Sequence, residues 1–280
     1  MNTAFDGVYV ELLDFVLAAK EEQDQRTGIY YRARPGLSFS CGHGGGLPLV
    51  SLRNINTKWF CAEAVWHMSG GRDPDFMKTY GFNAWSKFPQ SMNWGPTFRG
   101  RGDGIDLLLK GVAALRHDRT KKSIVFQLFE RDDIGRSHRP CISSMALSVI
   151  GETLHTTVLQ RSADLYFGLP HDVAGIAIIR AWIARYLNLK IGAIYWTVAN
   201  AHVYANQYFA AHAMVEKFST RTGIASADSI VPSCTAEWKR AIQGEPTLVF
   251  DLHRVVEADY LKFNPPKSHR GIAIIGGVND

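Results

Sequence analysis

Arg139-Pro140-Cys141, then Gln160-Arg161-Ser162-Ala163-Asp164, then Gly168-Leu169-Pro170-His171-Asp172 and finally His202-Val203-Tyr204 gather a cysteine, arginines, two acids, histidines and a tyrosine in one region. Between these segments lie regular elements. Ser144 to Val149 and Leu154 to Leu159 alternate as strands around Gly151-Glu152, a hairpin signature. The longest helical pattern, Val173 to Leu187, follows Asp172, and a strand over Ala193 to Val198 leads into a helix over Tyr204 to Phe218. His202 and Tyr204 stand at i and i+2, so an extended backbone points both to one side.

Working outward, Val8, Leu12, Phe15, Val16 and Ala19 fall at helical spacing over Val8 to Ala19. Gly28 to Ser40 reads as a strand that enters a glycine turn, Cys41 to Gly46; no Lys-Ser or Lys-Thr follows, so the turn is not a phosphate-binding P-loop. Ile55 to Met68 is a strongly apolar helical segment with one acid, Glu63, and it stops at Ser69-Gly70-Gly71. A helix is expected over Asp106 to Leu115 and a strand over Ser123 to Phe129. Strands and helices mix without a repeating βαβ period, an internal repeat or a low-complexity tract. Pro265-Pro266 sets off a short final apolar stretch, Gly271 to Ile275, as a tail.

The chain has 280 residues, long for one domain by the usual prior of roughly 100–200, yet within the reach of a single large α/β or α+β unit, so length leaves one or two domains open. It is 46% hydrophobic and 20% charged, enough apolar surface for a core and too little charge for disorder. The net charge of +5 is spread with no block of like charges, so no direct nucleic-acid partner is expected. Apolar runs such as Val173 to Trp182 fall short of the roughly 20 residues that span a bilayer, so no membrane partner is expected either. Met1 to Asp6 lacks the basic-then-apolar start of a secretory signal, which predicts a cytoplasmic protein. Cys41, Cys61, Cys141 and Cys234 are widely spaced and form neither CxxC pairs nor a Cys/His cluster, so neither a disulfide framework nor a structural metal is expected. From the residues alone each cysteine reads first as a small buried hydrophobe.

Together these segments resemble the thymidylate synthase family. Asp24-Gln25-Arg26-Thr27-Gly28 is similar to the family's phosphate loop, Glu63 with Trp66 and Ser69-Gly70 to its catalytic glutamate helix, and Trp85 with Gly95-Pro96 to its folate-side segment. The likeness runs from about Tyr9 to Ile274. It implies an α+β thymidylate synthase fold, a large mixed β-sheet packed with helices, in one catalytic domain over 1–280. It also implies a tail from about 265 to 280 that closes over the site, and a homodimer formed through the sheet. By the same resemblance Cys141 is the nucleophile and Glu63 the proton-managing acid. Arg26, Gln160, Arg161 and Ser162 bind substrate, and His202 and Tyr204 hold the sugar 3′-hydroxyl. Trp85, Asp164 and Gly168 serve the cosubstrate 5,10-methylenetetrahydrofolate, with no metal. Two family arginines reach the phosphate from the neighbouring subunit; Lys121 and Lys122 match them, supplying charge without the arginine fork.

The chemistry behind these assignments is explicit. A pyrimidine nucleotide is inert at carbon 5 until a nucleophile adds at carbon 6, after which carbon 5 attacks a one-carbon electrophile. A thiolate suits the addition, and Arg161 is expected to lower the Cys141 pKa. A dianionic phosphate needs convergent cations. Glu63, an acid in so apolar a helix, is expected to be partly buried with a raised pKa.

Departures from the family pattern carry the specificity. After Gly-Leu-Pro the family has Phe-Asn, whose amide reads uracil; here stand His171 and Asp172. An aspartate accepts from the cytosine amino group and, when protonated, hydrogen-bonds ring nitrogen 3, whereas an ionised one opposes a uracil carbonyl with two acceptors. That substitution resembles the phage deoxycytidylate hydroxymethylase branch, which implies dCMP as substrate and, for a phage-encoded chain, the host cytoplasm. The plain alternative is Asp172 as N-cap of a helix starting near Val173. Phe98 replaces a tyrosine of the proton network, Ile142 a histidine after the nucleophile, and His138 an apolar residue three before it. A polar His138 favours water over hydride, hence 5-hydroxymethyl-dCMP, while the family-like tail Arg270 to Ile274 favours water exclusion and a methyl product with dihydrofolate. A CMP hydroxymethylase and an inactive nucleotide- or RNA-binding relative are the other readings.

Overall fold

The computed structural model describes residues 2–83, 93–100, 104–135, 138–220, 224–225 and 236–263. A short strand β1 (Asn2–Thr3) leads into α1 (Ala4–Leu17), whose Tyr9, Leu13 and Val16 are fully buried. Strands β2 (Glu21–Gln23) and β3 (Tyr30–Cys41) follow. Next, α2 (Thr57–Ser69) starts where the Asn56 side chain accepts the Trp59 N–H at 3.2 Å and ends on Gly70 at φ 69°, a left-handed C-terminal cap that favours glycine. Short helices α3 (Asp75–Lys78) and α4 (Gly95–Phe98) precede α5 (Leu107–His117), capped by Asp106, which accepts the Leu109 N–H at 2.9 Å. Then come β4 (Val125–Gln127), β5 (Ile142–Ile150), β6 (Thr153–Gln160), β7 (Ala163–Asp164) and α6 (Gly168–Tyr186). The described chain continues with β8 (Lys190–Tyr204), α7 (Tyr208–Thr220), β9 (Ile224–Ala225), α8 (Ala236–Gln243) and α9 (Pro246–Tyr260).

The main sheet has the order β2-β3-β8-β6-β5-β4, with β7 beside β8. It is mixed: β8 runs parallel to β6 and β7 and antiparallel to β3, and the remaining neighbours are antiparallel. The β5–β6 hairpin turns through Gly151 at φ 60°, with Ile150 opposite Thr153. Helices α1 and α6 pack on the sheet, and α2 packs against α4, α6, α8 and α9. The α2 segment is buried nearly all round, including Phe60, Val65 and Trp66, as its apolar composition demands. At the glycine turn the buried Arg180 of α6 donates to the carbonyls of Gly42 and Gly46, and to that of Gly192 on β8, so the turn closes around a guanidinium. The architecture is therefore α+β with a large mixed sheet packed by helices, as expected.

Two boundaries differ from expectation in ways that matter. Helix α6 begins at Gly168, five residues before Val173, because Pro170 sits in the first turn, where no N–H is needed. Asp172 thus lies inside the helix and is not its N-cap, which removes the capping alternative. Strand β8 runs through Tyr204, so His202 and Tyr204 are both on a strand, and α7 begins only at Tyr208. Helix α9 was not anticipated, although Leu248, Val249, Leu252, Val256 and Tyr260 bury one helical face after a first-position proline.

Candidate functional site

Cys141 occupies the bend just before β5, half-buried, and its carbonyl accepts the Arg161 N–H at 2.8 Å. The Arg161 guanidinium donates from Nε to the Pro140 carbonyl (3.0 Å) and from Nη2 to the Arg139 carbonyl (2.7 Å), so it clasps the segment that carries the thiol. The expected net lowering of the thiol pKa is not found. Burial pushes Cys141 up to about 11; Arg161 pulls the value down as anticipated, but Asp172 and Asp164 push it further up. Within one chain, burial and two carboxylates outweigh one guanidinium.

Asp172 is held by a chain of oriented hydrogen bonds. The Trp196 indole Nε1 donates to Gln160 Oε1 at 2.9 Å, and Gln160 Nε2 donates to Asp172 Oδ2 at 2.7 Å. Gln160 is completely buried and Trp196 nearly so. Burial pushes the Asp172 carboxyl up to about 7, with Asp164 adding to the rise and the Gln160 amide opposing it. Its neighbour His171 turns the other way: the ring Nδ1 bonds the Phe167 carbonyl at 2.7 Å and the imidazole packs beside Trp59 and Phe60. Burial lowers the His171 pKa to about 4, so the ring is neutral and its part is packing.

Asp164, at the end of β7, accepts the Tyr166 and Phe167 N–H groups on Oδ1 (2.9 and 3.1 Å) and Gln207 Nε2 on Oδ2 (2.8 Å). An ionised carboxylate offers about four acceptor positions, so these three bonds leave capacity for a ligand N–H. On β8, the His202 and Tyr204 rings meet edge to face at 5.0 Å, and Tyr31 of β3 contacts both, at 6.3 and 6.4 Å. Burial lowers the His202 pKa and raises that of Tyr204 to about 12, so a neutral imidazole stands beside a phenol that keeps its proton. The Arg26 loop is shaped by Asp24, whose Oδ1 accepts the N–H groups of Arg26 and Thr27 at 2.8 and 3.0 Å. Arg26 itself is exposed, and its charge reaches Tyr204.

Cys141, Arg161, Asp164, Asp172, His202, Tyr204 and Arg26 therefore share one electrostatic neighbourhood. Ser162 adjoins it by sequence, half-buried after β6, and Gly168 opens α6, where an added Cβ would sit 3.9 Å from Asp172 Oδ2. Glu63 is buried in the middle of α2, as its apolar helix implied. Phe98, which stands in place of the family's network tyrosine, is buried between the Trp94 and Phe126 rings. His138 adopts a left-handed backbone, φ 58°, three residues ahead of Cys141, a conformation that costs about 1 kcal/mol or more in a non-glycine residue. Lys121 and Lys122 lie exposed in the turn between α5 and β4, and no contact among the described residues joins them to the cluster. Trp85 and the tail from 265 lie outside the described residues. Trp196, Gln207 and Tyr31 were not anticipated. Each acts on an anticipated residue from another element, Trp196 and Tyr31 across neighbouring strands and Gln207 from the turn after β8, contacts that spacing along the chain does not reveal.

The class is that of an α+β protein with a thiol, two buried-side carboxylates and a histidine–tyrosine pair converging at the ends of strands in one mixed sheet. Residues 7–226 match the family model described as thymidylate synthase, and the chain belongs to the thymidylate synthase family. That family is one of folate-dependent transferases. No helix among the described residues is long and apolar enough to cross a membrane.

Proposed function

We propose that this chain transfers a one-carbon unit from 5,10-methylenetetrahydrofolate to carbon 5 of dCMP, forming 5-hydroxymethyl-dCMP. The observation that carries the reading is Asp172: a carboxyl inside the first turns of α6, oriented by Gln160 and raised to about 7. In its neutral form it donates to the unprotonated ring nitrogen 3 of cytosine and neutralises the charge that develops there when Cys141 adds at carbon 6. The neutral form also removes one of the two negative neighbours that hold the Cys141 thiol up, so base recognition and thiolate formation favour the same protonation state. Ionised, the same group would oppose a uracil carbonyl, a mismatch of about 1–3 kcal/mol or more in a buried site.

The remaining roles are those that the family resemblance implies, and local geometry supports several of them. Tyr204 keeps a hydroxyl proton to donate and His202 a neutral ring to accept, which suits a sugar 3′-hydroxyl. Arg26, Arg161 and Ser162 meet the phosphate, and Asp164 has the acceptor capacity that a pterin N–H requires, while Gly168 and Trp85 are assigned to the folate by the family resemblance alone. Bound folate supplies the one-carbon electrophile; Glu63, buried in α2, holds and moves the proton at the reacting ring. Two copies of the chain pair through the sheet, bringing Lys121 and Lys122 to the partner's phosphate site. Val125, Leu159 and Tyr195, exposed at 55%, 44% and 45% on one face of β4, β6 and β8, support that surface. With Phe98 and Ile142 apolar, His138 is the polar group left to deliver water to the exocyclic methylene, hence hydroxymethyl.

Mass spectrometry of the nucleotide formed from an equal mixture of dCMP, dUMP and CMP with methylenetetrahydrofolate tests the reading. Hydroxymethylated dCMP is expected. Methylated dCMP with dihydrofolate would overturn the water-delivery part and keep the base assignment; tight dCMP binding with no exchange of the carbon-5 proton would make the chain a binding module instead.

A further inference from the structure

The two hydrogen bonds behind Asp172 are not interchangeable in direction. An indole N–H can only donate, so Gln160 must turn its oxygen toward Trp196 and its NH2 toward Asp172. The opposite amide orientation would set donor against donor at Trp196 and leave both buried groups mismatched. We propose that Trp196 is a specificity-determining positioning residue: through Gln160 it keeps Asp172 Oδ2 an acceptor, so that the acid proton is carried on Oδ1. This rests on the reading of Asp172 as the group that reads the base.

The consequence is a fixed polarity at the reading edge. Asp172 then offers a donor at Oδ1 and a remaining lone pair at Oδ2, the complement of cytosine nitrogen 3 and its amino group. If the Gln160 amide were free to turn over, its oxygen would draw the proton to Oδ2 and leave Oδ1 a pure acceptor, which suits the ring N–H of uracil. Trp196 therefore acts on the choice between the two bases without touching either. The other groups facing Asp172 are Asp164 from β7 and the Cys141 thiol ahead of β5, beside which stands Arg161; His171, on its own helix, faces away toward Trp59 and Phe60. None of these fixes the orientation of the Gln160 amide.

Trp196→Phe keeps a ring in the core and deletes only the donor. The expected result is a loss on the order of tenfold in the preference for dCMP over dUMP in kcat/KM, the size of one oriented hydrogen bond. The limb of the pH profile that belongs to Asp172 moves to higher pH, since an amide oxygen facing the carboxyl favours its protonated form. A purely structural role would lower the rate on both bases alike and leave that limb in place, and this result would overturn the proposal. Asp172→Asn, measured in parallel, separates the two claims. If it leaves the base preference unchanged, the reading of Asp172 falls. If it changes the preference while folded Trp196→Phe does not, the Trp196 proposal alone falls. Should Trp196→Phe fail to fold, nitrogen-15 NMR of the unaltered protein decides: the Trp196 indole and Gln160 amide signals are expected to titrate together with one midpoint near neutrality, lost in Asp172→Asn. Signals that do not move with pH would overturn the proposal.

Discussion

The end of the site proposed to read the base and the end proposed to meet the phosphate are built in opposite ways. At the first, Trp196 on β8, Gln160 on β6 and Asp172 on α6 lock together from three elements of one chain, with two of the three side chains out of water. At the second, Arg26 stands exposed on a loop shaped by Asp24, Arg161 is partly spent on the Pro140 and Arg139 carbonyls, and the Lys121–Lys122 pair lies elsewhere on the surface. The contrast teaches a division of labour. Discrimination needs groups whose direction is fixed, and only buried, multiply bonded side chains hold direction. Attraction of a dianion needs charge, which flexible surface groups and a second subunit can supply.

The sharpest way to break this division is at Cys141, the proposed nucleophile that both ends would serve. Cys141→Ala is expected to leave the fold intact and to lower turnover by at least about a thousandfold; steady-state assays beside a thermal melt check it, and retained activity would remove Cys141 from the mechanism. Next in size, replacing both Lys121 and Lys122 by alanine is expected to raise the KM for nucleotide roughly tenfold while leaving the dCMP over dUMP ratio unchanged. Mixing that variant with Cys141→Ala then regenerates one complete site per mixed dimer, and recovered activity on mixing is the signature of a phosphate site completed in trans. A changed base ratio in the lysine variant would break the separation of the two ends.

The smallest effect is on stability against pH. Asp172 ionises near 3.8 when unfolded and near 7 when folded, so between these values the unfolded chain sheds a proton that the folded chain retains. Its contribution is therefore fully present below about pH 4 and is lost as pH rises through about 7. Asp172→Asn removes that loss, and its unfolding free energy, read from denaturant titrations, is expected to exceed that of the unaltered protein at pH 8 by about 1–3 kcal/mol, with no such gain at pH 4. Equal differences at both pH values would mean that the carboxyl is not raised.

Much of the fold was legible because local signals agreed with it. Asn56 and Asp106 cap helices, Gly151 turns a hairpin, and the apolar α2 segment is buried as its composition requires. What misled was Pro170, which reads as a boundary but is tolerated in a first helical turn, so Asp172 passed for a possible cap. The candidate residues were legible from their resemblance to a family, with positions that the sheet then brings near one another. Their supports were not. Trp196 stands 36 residues from Gln160, and Gln207 stands 43 from Asp164, and the pairings arise only when β8 lies beside β6 and β7. The sign of the Cys141 shift was missed because burial of the thiol outweighs Arg161, with two carboxylates distant in sequence adding to the rise.

The central claim is that Asp172 chooses the base, and the most direct test is the ratio of kcat/KM for dCMP to that for dUMP in the unaltered protein and in Asp172→Asn. The account predicts a strong preference for dCMP that shifts toward dUMP by about a hundredfold or more when the carboxyl becomes an amide. A ratio that favours dUMP in the unaltered protein, or one that Asp172→Asn does not move, would contradict it.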